Sequence, residues 1–348
     1  MRSSRGVKVS RPKRTYRKAL LHVVVVLVAI AALFVLLSSL FIPKDNTKAA
    51  GMIDASANGV LGEPDNSIDM IIVGDSKAYS GISPMTMWED HGIASYACTT
   101  KAQKLPYAFS LLKRATKAQT PSVVIMETNE FYTEVGVNDV AKRAIQDFLP
   151  VLEYHDRWKS LTLRDLDPRI SYTWTDDFKG YYMNGDMQPA DTTGYMTPTD
   201  EVEAMPRINR WIVTSMIEHC RQIGAQPVLL SVPTTKNWTM AKHNGIQAFA
   251  DEIGVDFIDL NVGPEKVDVG IDWQTDTRDE GDHLNVWGAI KVSSYLGGLM
   301  SQAYGLPDHR GDPAYSAWDE SLRVYTARVG WFTVIPSTAF PADWTSSV

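Results

Sequence analysis

The chain has 348 residues, 34 Lys and Arg against 41 Asp and Glu for a net charge of −7, and 44% hydrophobic residues including ten Trp, which excludes a disordered chain. Eight of the basic residues (Arg2, Arg5, Lys8, Arg11, Lys13, Arg14, Arg17 and Lys18) precede the first long apolar run. The other 26 face 41 acids, a balance of −15, which excludes a basic nucleic-acid surface.

Residues 23–42 read VVVVLVAIAALFVLLSSLFI, an uncharged run long enough to cross a bilayer core as a helix. A cleaved signal peptide has a shorter apolar run and a small-residue cleavage site behind it, whereas Pro43, Lys44, Asp45 and Asn46 follow here. The reading is a basic cytoplasmic tail at 1–18, a retained transmembrane helix at 19–42 and the remaining chain outside the cell, because basic flanks stay in the cytoplasm. Residues 43–66 are small and polar and read as a linker.

From residue 67 strand and helix signals alternate. Short apolar runs predict strands at 69–74, 93–97, 122–127, 227–232 and 255–260. Helical spacing predicts helices at 105–118, 207–223, 239–253 and 286–303, with Gly224 and Gly254 as stop signals. Continuous apolar strands alternating with helices imply a three-layer α/β/α sandwich around a five-stranded parallel sheet. Sites in such sheets lie beyond the carboxyl ends of the strands. Residues 133–205 break the alternation and read as an insertion, helical at 140–152, that shapes a cleft. The domain then covers 67–306. A C-terminal extension at 307–348 is expected to pack on it through Trp318, Trp331 and Trp344.

Two segments carry chemistry. The first strand ends in Gly74-Asp75-Ser76, which places a hydroxyl at a strand tip, with a backbone N–H where an oxyanion would form. A turn serine capping the next helix is the bland alternative. After the fifth strand comes Asp279-Glu280-Gly281-Asp282-His283-Leu284-Asn285, followed by Gly288-Ala289. A histidine in a loop at the sheet edge can take the serine proton, with a carboxylate orienting its ring.

These two blocks resemble the SGNH/GDSL hydrolase superfamily, over about residues 67–304. The resemblance implies an SGNH/flavodoxin-like sheet, Ser76 as nucleophile and His283 as base. It also implies an oxyanion hole made by the Ser76 N–H, Ala102, where the family more often has Gly, and Asn129. The family's acid stands three residues before the histidine, which here is Glu280. Asp279 and Asp282 flank it, and the order of preference is Asp279, Glu280, Asp282.

Nothing in the spacing of His, Cys and carboxylates indicates a metal site, and no dinucleotide or phosphate-loop fingerprint occurs, so no cofactor is expected. Cys98 and Cys220 are expected as two separate buried thiols. His155, in the insertion, is a minor candidate for the cleft.

An anchor followed by such a domain is similar to the D-alanine transfer protein of teichoic-acid operons and to O-acetyltransferase components of polysaccharide systems. That similarity implies acyl transfer to or from a cell-surface glycan or wall polymer. It also implies a multi-pass membrane O-acyltransferase as partner. A non-catalytic carbohydrate-binding or assembly subunit on the same scaffold is the alternative, with a lipase-like enzyme third.

Overall fold

A computed structural model describes residues 13–334. Helix α1 spans Lys13–Phe41, and its stretch Tyr16–Phe41 is long and apolar enough to cross a membrane. Arg2, Arg5, Lys8, Arg11 and Trp344 lie outside the described residues.

Five strands form one parallel sheet in the order β2-β1-β3-β4-β5. They are β1 (Met70–Gly74), β2 (Ser95–Thr99), β3 (Val123–Glu127), β4 (Gln226–Ser231) and β5 (Asp256–Asp259). The register sets Met70 opposite both Ser95 and Val123, and Val123 opposite Gln226. Side chains alternate between faces with period two. Ile71, Val73, Val124, Met126 and Leu229 meet helices α5 (Leu105–Ala115), α7 (Arg207–Gln222) and α8 (Met240–Ile253) on one face. Met70, Ile72, Ile125, Val228 and Leu230 meet the other. There α3 (Ser76–Gly81), α4 (Pro84–His91), α9 (Gly263–Val269) and α10 (Val286–Tyr304) cover them. This is the expected three-layer sandwich. The strand order reverses beside β1, which is where open α/β sheets place their crevice.

Helix α5 follows β2 and precedes the parallel β3, so it runs from the carboxyl edge of the sheet to the amino edge. Helix α6 (Val137–Phe148) runs alongside in the same direction. Lys104 pairs with Asp139 at the start and Arg114 with Asp147 at the end. The insertion helix therefore begins earlier than expected. It stops at Phe148, ahead of Pro150, which opens a 3₁₀ turn at Pro150–Leu152.

The linker reading of 43–66 does not hold. Asn46 is fully buried. It accepts from Trp174 N–H at 3.0 Å and donates to Trp174 C=O at 2.6 Å. Helix α2 (Ala55–Asn58) packs on β2, where Tyr96 Oη donates to Ser56 C=O at 2.9 Å. The segment covers what would be a bare sheet edge. A buried ion pair, Lys179 Nζ to Glu63 Oε1 at 2.9 Å, fastens it to the insertion. The Lys179 ammonium also sits 4.7 Å from the ring of Trp318, on α11 (Ser316–Val334). Trp318 is buried against Trp88, whereas Trp331 is about half exposed. Cys98 and Cys220 are free and buried, and burial pushes each thiol up to about 12.

Candidate active site

The first turn of α3 sets the serine. Asp75, not Ser76, is its N-cap, and its Oδ1 accepts from Lys77 N–H at 2.9 Å. That leaves the Ser76 hydroxyl unspent on capping, and Oγ lies 2.8 Å from His283 Nε2. Gly74 is required behind it, because a Cβ there would stand 2.6 Å from Glu127 Cβ.

The histidine is fixed from both sides. Leu284 is buried and bridges to Thr277, and Thr277 Oγ1 donates to the His283 C=O at 3.0 Å. Asn285 caps α10, accepting from the N–H groups of Trp287 and Gly288 at 3.0 and 3.3 Å. Asp279 Oδ1 accepts from His283 N–H at 2.6 Å, and its Oδ2 lies 2.7 Å from His283 Nδ1. With the proton on Nδ1, Nε2 is the acceptor facing Ser76. Burial pushes the Asp279 carboxyl up, but the two bonds from His283 outweigh it and hold it below its usual range.

Asp279 stands four residues before His283, one more than the family spacing. Glu280 (φ 59°) and Gly281 (φ 91°) are consecutive left-handed residues and absorb the extra position as a local bulge. Glu280 itself is exposed. Asp282 comes closer than Glu280 was expected to, with Oδ2 3.4 Å from His283 Nδ1 and Oδ1 paired to Lys77. The order of the two alternatives thus reverses.

The sheet order is the one to which the sequence points, and it brings Ser76, His283 and Asp279 within hydrogen-bond reach of one another. In fold the chain is SGNH/GDSL-like. No protein-family model matches it, and no curated protein does. Similar solved structures include a GDSL-like lipase from Bacteroides thetaiotaomicron, 11% identical, covering 67% of this chain and 88% of that one at a TM-score of 0.33. A psychrotrophic esterase from Pseudoalteromonas is 9% identical over 68% of this chain and 99% of that one, at 0.35. An acetylxylan esterase from Geobacillus stearothermophilus is 11% identical over 67% and 94%, at 0.34. At such scores the likeness is loose, and the SGNH/GDSL-like description rests on this chain's own strand order and distances.

Two further sequence candidates surround the serine. Asn129 follows β3, and its Nδ2 donates to Asp75 Oδ2 at 2.6 Å, leaving a second N–H on the same nitrogen. Ala102 follows β2, exposed, at φ 52°. A left-handed backbone of this kind strains an alanine and suits a glycine.

Three polar residues were not singled out in the sequence. Lys77 is buried, and its ammonium bonds Thr234 Oγ1 at 3.2 Å as well as the carbonyl and carboxylate of Asp282. Its position beside Ser76 was the only signal. Glu127 and Glu130 are buried at the end of β3. Glu127 Oε1 accepts from Asn129 N–H at 3.0 Å, and its carboxyl contacts that of Asp75. Burial, then the Asp75 charge, pushes both carboxyls well above the usual carboxylate range. The pair Asp75 and Glu127 thereby fixes Asn129 by side chain and backbone.

Asp279, Asp282 and His283 also bring three possible metal donors within 4.8 Å of one another, a grouping the sequence spacing hid. Lys77 already places a positive charge on Asp282, which opposes a cation at the same point. His155 lies elsewhere, exposed beside the end of α1 and bonded to Leu152 C=O at 3.1 Å.

Proposed function

We propose that this chain is an extracytoplasmic serine-dependent acyl-transfer enzyme, an O-acyl or O-acetyl esterase or transferase acting on a cell-surface polysaccharide or wall polymer. The observation that carries the reading is the continuous series Ser76 Oγ, His283 Nε2 at 2.8 Å, and His283 Nδ1 to Asp279 Oδ2 at 2.7 Å.

In this reading Ser76 Oγ attacks the acyl carbonyl while His283 Nε2 takes its proton. Asp279 stabilises the imidazolium and keeps Nδ1 protonated. The N–H groups of Ser76 and Ala102 and the second Nδ2–H of Asn129 receive the oxyanion. The intermediate collapses to a Ser76 ester, and His283 returns the proton to the leaving alcohol. Water or a sugar hydroxyl then resolves the acyl-enzyme, again through His283.

A sugar-bearing substrate is supported by the walls of the site. Tyr79 and Tyr182 stack at 4.8 Å, and the Arg278 guanidinium lies over Tyr182 at 5.3 Å, next to Asp279. Flat aromatic and charged surfaces suit pyranose rings.

The anchor reading is supported by how α1 ends. Ser38 is buried, Val151 N–H donates to its hydroxyl at 3.3 Å, and Arg157 donates to Phe41 C=O at 2.6 Å. A helix destined for cleavage has no use for such packing. The basic flank at 2–18 then sets the domain outside. A multi-pass O-acyltransferase would supply the acyl group in the same membrane.

A serine-reactive fluorophosphonate tests the site. The full chain should label, with label lost in Ser76→Ala and largely lost in His283→Ala, and it should release acetate from acetylated oligosaccharides. Undiminished labelling in Ser76→Ala, or a wild-type chain inert to both probes, would overturn the reading.

A further inference from the structure

The first half of the insertion is built inside out. Two of its ion pairs point inward: Arg143 chelates Glu153 through two bonds of 3.0 and 2.9 Å, and Arg157 reaches Asp165 at 2.6 Å with both side chains buried. Its large apolar side chains point outward. Leu163 is 86% exposed, Phe148 80%, Leu166 70% and Trp158 64%, with Leu152 and Ile170 also exposed. A water-facing loop has the opposite pattern. Elsewhere in the domain large exposed apolar residues occur singly, such as Trp211 on α7 and Val267 on α9.

The location of this patch is specific. The 3₁₀ turns at Pro150–Leu152, His155–Lys159 and Leu163–Leu166 all contact α1. They gather around its last turn, where Ser38 and Phe41 are bonded to Val151 and Arg157. The patch is therefore continuous with the exposed apolar surface of α1 itself. Exposed Lys159, Arg164 and Arg169 lie among the apolar positions, Lys159 paired to Asp156 at 3.3 Å and Arg169 to Asp167 at 2.6 Å. Trp together with Arg and Lys is the composition found at the boundary between acyl chains and headgroups, where cationic side chains snorkel outward.

The geometry points to this face being seated in the outer leaflet of the bilayer that α1 crosses, as a collar fixing the domain on the membrane. The inference rests on reading α1 as a bilayer span. Continuity with that helix selects lipid as the occupant, over a second copy of the chain or another membrane protein.

Single cysteines carrying an environment-sensitive fluorophore test it in the full-length chain. Cys98 and Cys220 are buried and stay out of the labelling. Leu163→Cys probes the collar, Leu27→Cys the span and exposed Thr193→Cys the water-facing side. Each labelled protein is placed in nanodiscs of phosphatidylcholine and phosphatidylglycerol, with and without lipids spin-labelled near the headgroup, to read 163 and 193, or deep in the acyl chain, to read 27. The expected result is blue-shifted emission at 163 and quenching there several-fold stronger than at 193. Quenching at 27 with none at 163 overturns the collar while leaving the span intact. No quenching at 27 removes the span and the collar with it. A label at 163 that is wet in nanodiscs but shielded in native membranes, by a protein that crosslinks to it, assigns the face to a protein partner and overturns the lipid assignment.

Discussion

At the carboxyl edge of the sheet, polar groups are drawn together around buried Lys77, Asp75 and Glu127: with Ser76, His283, Asp279, Asp282 and Asn129 they lie in one connected set of bonds. At the amino edge, around the end of α1, charges are also buried, but they only brace a surface of exposed Leu, Phe and Trp. The first region uses buried charge to aim particular atoms. The second uses it to hold a shape whose outer face is apolar. The same physical device, a desolvated ion pair or carboxyl, serves positioning in one place and scaffolding in the other, and mutation should separate the two.

The largest effect is expected in the aimed set. Ser76→Ala or His283→Ala should lower kcat for ester turnover by roughly 10⁴–10⁶-fold, and Asp279→Ala by about 10⁴-fold, with the unfolding temperature unchanged. Glu280→Gln and Asp282→Asn should stay within about tenfold, so the mutant series ranks the three acids. An equal loss at Asp282 would show that both carboxylates near Nδ1 work together.

Next comes the scaffold. Arg143→Ala takes two bonds from buried Glu153, which keeps its pair with Arg114 at 2.7 Å, and should cost about 1.5–3 kcal/mol in thermal unfolding, while turnover by the folded fraction is kept. A loss of turnover without a loss of stability would blur the division between the two edges.

Glu127→Gln tests the protonated acid. Its folded value is raised above the ordinary 4.5, so above about pH 4–5 the unfolded chain releases a proton that the folded chain keeps. Stability from this site is therefore lost as pH rises from there towards the folded value. The Gln variant carries no such proton. Its unfolding temperature should exceed that of the wild type by a margin that is small at pH 4 and grows as pH rises towards the folded value. A margin independent of pH would mean that Glu127 ionises inside the fold.

The smallest effect is at Ala102. Replacing it by Gly removes the strain of a left-handed alanine and should add up to about 1 kcal/mol, less the extra chain entropy of Gly. If turnover also rises, the Ala102 N–H contributes to the oxyanion site.

Much of the catalytic edge was legible in the sequence because it is coded locally. The runs at 69–74, 122–127 and 227–232 hold unbroken apolar stretches at 70–73, 123–126 and 228–230, as strands buried on both faces must. Ser76 and His283 stand at ends of elements with turn residues beside them. The acid was harder, since the choice of Asp279 depends on Glu280 and Gly281 turning left-handed, which spacing alone does not show. The segment 43–66 was misread for a related reason. Its small polar residues look like slack chain, but Asn46 finds Trp174 and Glu63 finds Lys179 across more than a hundred residues. Pairings of that range leave no periodicity. The outward apolar residues of the insertion were equally hidden, because burial and exposure of a Leu look alike without a fold around it.

The packed state of 43–66 bears on reach. Helix α6 descends from the catalytic edge to the end of α1 over twelve residues, about 18 Å at the rise of an α-helix. A random-coil tether of the length of 43–66 would let a domain sample a hemisphere of positions. With that segment folded onto the domain, a chain anchored by α1 has no slack to pay out. Ser76 then sweeps a thin layer at one altitude as the anchor diffuses in the membrane plane, and acyl groups above or below that layer must be carried to it.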